Sequence, residues 1–293
     1  MGADMKSLRL FGLFILLMTF TASGWAVVNI GVQAPRSHTK AMKKWKAMAE
    51  YLSLEINEEV KIVPLHPAET LEAVNAGKIQ FMLSNPVLAL VINKRQGADF
   101  LVTMKTHAGS RFSGVIIAQK GSGIKTSADL RGKFVLSYKF RRSAAAYVFQ
   151  VKHLLDHGIY PDKDFDIFRE VRSTQDVIVQ AVNRGLVDAG FIKSGLLEEM
   201  DREGKIDMRS IAIVNKVNDS FPHVHSTELY PEWTMTALKG ASDKTAAVIR
   251  AALIKLTPDD KVCRTAKIAG FVPPEDFNEL EVTLQALKLP PFE

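Results

Sequence analysis

Two places in this chain set a side chain that can hydrogen-bond an anion where a helix should begin after a strand-like run: Asn85-Pro86 and Ser143. A helix start exposes unpaired backbone N–H groups at the positive end of the helix dipole, and both favour an anion. Asn and Ser are equally good N-caps for their own helices, so the residues alone leave both roles open. Ser173-Thr174-Gln175-Asp176 has the spacing of a variant capping box, with the acid at the third helical position, and Thr174 or Gln175 could instead face a ligand. Asp188 ends a turn after Gly185 and could orient a basic or hydroxyl group. Lys193 follows a strand end, where it supplies charge or simply lies in solvent.

Histidines offer a metal or enzyme alternative. His153 and His157 are four apart on a helical pattern, and His223 and His225 alternate as in a strand. Each pair lacks a third ligand or a general-base partner. The chain also lacks a nucleophile elbow, a phosphate-binding glycine loop and a zinc-ligand cluster. The expectation is a binding protein rather than an enzyme, with no cofactor and no metal. The net charge of +6 permits anionic partners. No dense basic run alternates with aromatics, so nucleic acid is not expected, and a small anionic molecule fits better.

Short β-rich runs alternate with helix-length amphipathic segments along 293 residues, which is the rhythm of an α/β protein with a large core. Strand patterns at 27–32, 60–65, 79–84, 100–104, 114–118, 133–137 and 187–192 are separated by helical patterns, several of them closed by Gly77, Gly158 or Gly185. Ser226-Thr227-Glu228-Leu229-Tyr230-Pro231-Glu232-Trp233 suits neither a core helix nor a solvated linker, and reads as a segment that holds a shaped surface. At the amino terminus, Lys6 and Arg9 precede an apolar run that ends in the small residues Gly24 and Ala26. This reads as a signal peptide over residues 1–26, cleaved after Ala26, with an uncleaved anchor as the alternative; export would place the rest in the periplasm. No later segment is continuously apolar for the roughly 20 residues of a span. The single cysteine, Cys263, has no partner for an internal disulfide and reads as a small apolar residue packed in a helix.

Ser84-Asn85-Pro86, Asp129-Leu130-Arg131-Gly132-Lys133, Gln175-Asp176-Val177-Ile178-Val179 and Asp188-Ala189-Gly190-Phe191-Ile192-Lys193-Ser194-Gly195 occur in this order. With the 226–233 stretch they resemble the periplasmic phosphate/phosphonate-binding-protein-like family, and most closely the sensor domains of tetrathionate-type sensor kinases. The resemblance implies a two-lobe type 2 periplasmic binding protein, with two mixed sheets flanked by helices and a two-strand hinge. Residues 27–115 and 215–293 would form the first lobe and 116–214 the second, with crossings near 115–119 and 211–217. It implies capture of a small oxyanion, phosphate- or phosphonate-like or of sulfur, for the membrane permease of an ABC transporter. The alternative is the ligand-sensing ectodomain of a sensor histidine kinase. Carried onto this sequence, the ligand contacts would be Arg36, Ser37, His38 and Thr39, then Asn85 and Pro86, then Ser143, Ala144, Ala145 and Ala146, and finally Thr174, Gln175 and Asp188. The chain departs from the family pattern at three points: Ala145-Ala146 replace a glycine pair, Ala89 stands where an aromatic is usual, and Lys193 replaces arginine.

Overall fold

The structure, a computed structural model, describes residues 27–34, 37–66 and 69–293. The expected signal peptide and Arg36 lie outside the described residues. The strands are β1 Val28–Gln33, β2 Val60–Leu65, β3 Phe81–Ser84, β4 Asp99–Lys105, β5 Arg111–Phe112, β6 Gly114–Gln119 and β7 Phe134–Tyr138. They continue with β8 Ile167–Val171, β9 Ala189–Lys193, β10 Ile211–Val214, β11 Tyr230–Pro231, β12 Thr234–Ala237 and β13 Gly270–Val272. The helices are α1 His38–Ile56, α2 Thr70–Asn75, α3 Pro86–Gln96, α4 Phe149–Asp156 and α5 Pro161–Asp164. They end with α6 Gln175–Asn183, α7 Leu196–Arg202, α8 Asp243–Lys255, α9 Lys261–Ala266 and α10 Asn278–Ala286.

The strands form two mixed sheets and a small ribbon. One sheet runs β13-β4-β12-β3-β1-β2, the other β10-β6-β9-β7-β8, and β5 pairs with β11. In the first sheet β1 lies parallel to β2 and β3, while β12 is antiparallel to β3 and β4. In the second, β9 is parallel to β7 and antiparallel to β6. Each sheet has its own core. Trp45, Met48 and Leu52 of α1 pack with Ile249 and Leu253 of α8 and with Cys263 of α9 against the first. Ile178, Val179 and Val182 of α6 pack with Leu197 and Met200 of α7 against the second.

Local chemistry explains where helices start and stop. Ser37 caps α1 by accepting from the Lys40 N–H at 3.3 Å, and Asn57 ends it at φ 54. Asn85 caps α3, Pro86 fills the first helical position where no donor is needed, and Gly97 closes the helix at φ 64. The expected capping box at 173–176 does not form: Thr174 is the N-cap residue of α6 and its side chain makes no cap bond. The long helix expected from Ser143 is broken. Residues Ala144–Val148 form a π-helical turn before α4, with Ala145 and Ala146 at non-helical angles.

The crossings differ from expectation. Residues 115–119 and 211–217 read as apolar strand ends, but in the structure β6 and β10 are antiparallel neighbours inside the second sheet. Residues after β10 stay with that lobe: Asn215 donates its N–H to Lys125 O and accepts from the Ser127 N–H, and Val224 donates to Glu198 Oε1. The chain passes between lobes instead at β5 and β11. There Ser226 N–H donates to Gly114 O, Thr227 Oγ1 accepts from Gly114 N–H at 2.9 Å, and Ser226 Oγ accepts from Ile116 N–H at 2.9 Å. Tyr230 anchors this ribbon by stacking on Phe149 at 3.9 Å, and burial pushes its phenol up to about 12. The 226–233 stretch is therefore the return crossing. No helix among the described residues is long and apolar enough to cross a membrane.

Candidate functional site

A cleft of about 520 Å³ opens between the two sheets at the carboxyl ends of their parallel strands, the usual place for a ligand in an open α/β sheet. Gln33 ends β1, Asn85 follows β3, Tyr138 ends β7 and Lys193 ends β9, and all four line it. The cleft also takes in Glu232 and Trp233 from the return crossing, so its floor is the segment that joins the lobes.

The first-lobe wall is already satisfied internally. Gln33 Oε1 accepts from the Asn85 N–H at 3.1 Å and from the Asn85 amide at 2.8 Å, and Asn85 Oδ1 accepts from the Leu88 N–H at 3.2 Å. On the second-lobe wall, Lys139 at φ 44 and Arg141 at φ 63 turn the chain so that Arg142 and Ser143 line the cleft. Ser143 stands at the N-cap position but its hydroxyl caps nothing. The turn behind it is held by buried Gln150, whose amide donates to Ala145 O and Ile192 O, both at 2.9 Å. Glycine is required opposite: a Cβ on Gly114 would lie 2.5 Å from that amide nitrogen. Gln175 reaches across to accept from the Lys193 N–H at 2.8 Å, tying the start of α6 to the end of β9.

Charge in the cleft is lopsided. Lys40, Lys44 and Lys267 come from one lobe and Lys139, Arg142 and Lys193 from the other, against Glu199 and Glu232. Lys44 is open to water through the cleft mouth, yet surrounding protein desolvates it, and this with the nearby Lys193 ammonium holds its pKa below the ordinary lysine value. Glu232 is pushed the other way, upward, by burial, with Lys193 and Lys44 opposing. Trp45 and Trp233 supply apolar wall beside these charges.

Of the residues singled out from sequence, the structure brings Ser37, Asn85, Ser143, Ala144, Ala145, Gln175 and Lys193 to the cleft. The others stand elsewhere. His38 and Thr39 are exposed on the first turn of α1, and Pro86 is buried at the start of α3. Ala146 is fully buried and its carbonyl accepts from Ser137 Oγ at 2.6 Å. Thr174 begins α6 without lining the cleft, and Asp188 sits at the opposite end of β9, where its carboxylate accepts from the Phe134 N–H at 2.8 Å. Asp188 precedes its strand, whereas the cleft lies beyond the strands' carboxyl ends. Ala89, in the position noted for an absent aromatic, is fully buried. The cleft residues that sequence reading passed over are Lys44 and Trp45 above all, while Glu232 and Trp233 were read only as part of a segment that holds a shaped surface. Trp45 carried only a core signal, since it falls on the apolar stripe of α1.

The histidines serve other ends. His153 Nε2 contacts the Asn215 amide at 2.9 Å, and burial together with His157 lowers its pKa to about 4. His225 lies between Thr227 O and Asp219, and His223 faces Glu198 at 3.6 Å. Among the described residues no group of His, Cys, Asp and Glu could hold a metal.

Residues 30–278 match the family described as ABC transporter, phosphonate, periplasmic substrate-binding protein. The chain belongs to this family. It is 30% identical over 255 residues to the tetrathionate sensor histidine kinase TtrS of Salmonella typhimurium, covering 85% of this chain and 43% of that protein, so it spans less than half the relative's length. Among solved structures it is similar to PhnD1 from Prochlorococcus marinus in complex with methylphosphonate (TM-score 0.70, 12% identity, 89% of this chain and 98% of that one). It is also similar to a binding protein component of an ABC phosphonate transporter, PA3383, from Pseudomonas aeruginosa (TM-score 0.68, 16% identity, 89% and 85%). These structures share the α/β periplasmic binding fold with this family member.

Proposed function

We propose that this family member is an exported, non-enzymatic receptor that captures a small oxyanion in the cleft and presents the closed form to the permease of an ABC transporter. The observation that carries this reading is the meeting of Lys44 from one lobe and Lys193 from the other beside the unengaged hydroxyl of Ser143. Two ammonium groups that repel each other are relieved by an anion between them, and the Ser143 hydroxyl adds a charge-assisted hydrogen bond. An anion touching both walls binds the closed state better than the open one and so drives closure. Bending would take place at β5 and β11, the ribbon through which both crossings pass. The first lobe would then take residues up to this ribbon and from it to the carboxyl terminus. Ser37, Asn85, Ser143, Ala144, Ala145 and Gln175 are the proposed ligand-facing set, with Lys44 and Lys193 as the charge.

A second reading is the ligand-sensing part of a sensor kinase, favoured by the 30% identity to one. The ligand chemistry is the same in both. A thermal-shift screen of phosphate, methylphosphonate, sulfate, thiosulfate and tetrathionate tests it: a binding anion raises the Tm, by an amount that grows with its concentration above Kd. A flat response to every one of them would refute the oxyanion reading. A response regulator encoded beside the gene would favour sensing, and a permease and ATPase would favour transport.

A further inference from the structure

Glu232 is an acid at the centre of a cationic cleft. Only 9% of it is exposed, and its carboxylate accepts a hydrogen bond from the N–H of its own neighbour, Trp233, at 3.1 Å. Lys193 and Lys44, one from each lobe, act on it through space rather than through a hydrogen bond. The segment that carries it leads from the ribbon into the first sheet and is fixed there: its backbone N–H is tied to Ser110 O at 2.8 Å and the next residue's carbonyl accepts from the Met104 N–H of β4 at 2.7 Å. Among the described residues, the remaining charged groups facing this space are Lys40 on α1, Lys267 after α9, Glu199 on α7, and Lys139 and Arg142 before the π-helical turn.

An oxyanion that takes up the two lysines removes the attraction that opposes the rise of the Glu232 pKa and adds a second negative charge beside it. Two anions in one poorly solvated site cannot both stay charged without cost, and the carboxylate is the one that can take a proton. We propose that Glu232 couples anion capture to proton uptake: when an oxyanion settles between Lys44 and Lys193, Glu232 takes one proton from solvent and donates it as a hydrogen bond into the cleft, and releases it when the anion leaves. This rests on the oxyanion reading above and adds the regulation of that same site. The burial that raises the Glu232 pKa in the empty cleft acts in the same direction as the bound anion. The sign follows. Proton uptake is greatest between the Glu232 pKa of the empty cleft and the still higher pKa of the filled one, and within that window affinity rises as pH falls, approaching tenfold per pH unit for one linked proton.

The test is calorimetric titration with sulfate, thiosulfate, tetrathionate and methylphosphonate, each in two buffers of different ionisation heat, with the protonation of methylphosphonate itself subtracted. The protein should take up a substantial fraction of one proton per anion. Glu232→Gln should lose that uptake, bind more tightly at neutral pH and show a flat pH profile, while Glu232→Asp should restore pH dependence. Binding with no net proton uptake by the unaltered protein would overturn this inference and leave the oxyanion reading standing, as would equal uptake by the unaltered protein and Glu232→Gln. Failure of these four anions and of phosphate to bind would overturn both. If Glu232→Gln does not fold, Glu232→Asp decides: proton uptake with the same size and pH window as in the unaltered protein would place the proton on another group and overturn the inference.

Discussion

Two of the helix starts that face the cleft, at Asn85 and Ser143, look alike in sequence and behave differently in structure. Asn85 spends both ends of its amide on its own lobe, accepting from the Leu88 N–H and donating to Gln33. Ser143 spends its hydroxyl on nothing, and the turn behind it is π-helical rather than α-helical. The contrast separates two jobs that one residue type can do at a helix start. At these two positions the first lobe presents an amide already spent on its own wall, and the second presents an uncommitted hydroxyl.

Ser143→Ala is the change expected to break this contrast with the largest effect. Losing one charge-assisted hydrogen bond should weaken anion binding by about 1.5–3 kcal/mol, roughly tenfold to a hundredfold or more in Kd, with little change in Tm. Calorimetric titration and thermal unfolding of the same sample check it; unchanged affinity with a lowered Tm would make Ser143 a cap like Asn85.

The second change asks how the π-helical wall is held. Gly114→Ala would put a methyl 2.5 Å from Gln150, which hydrogen bonds pin in place, so the crowding should cost about 1–3 kcal/mol of stability. Gly31→Ala in the first lobe would also crowd Ile79 Cδ1 at 2.5 Å, Met82 Sδ at 2.8 Å and Leu65 Cδ1 at 3.1 Å, but these belong to flexible side chains that no hydrogen bond pins and that can shift. Chemical denaturation of the two variants should therefore show the larger loss for Gly114→Ala. Smallest is Asn85→Ala, which should cost roughly 1 kcal/mol of stability as a lost cap, and it should leave the bound anion's affinity closer to the parent than Ser143→Ala does.

Much of the fold was legible in sequence because the signals were local. Alternating apolar runs, Asn-Pro at a helix start and glycine at helix ends mark β3, α3 and α6 within a residue or two of where they lie. The crossings were not legible in the same way. Residues 115–119 and 211–214 carry the apolar pattern of strands whether they join lobes or pair with each other, and only long-range register separates the two. Of the cleft lining, Asn85 and Ser143 could be read as helix starts and Ser37 only through the family resemblance, whereas side chains of regular elements carried no such signal. Lys44 sits in a run of lysines on an ordinary amphipathic helix, and Trp45 looks like core because it is core on one side. Glu232 was visible only as an acid among aromatics, since its cationic neighbours lie far away along the chain.

The claim under all of this is that the lobes close on a small oxyanion by bending at β5 and β11. Small-angle X-ray scattering on the exported protein, with and without a saturating anion taken from the thermal-shift screen, tests it most directly. The account predicts a smaller radius of gyration and a shorter maximum dimension when the anion is bound. An unchanged scattering profile at saturation, from an apo protein whose own profile fits the open form, would contradict it.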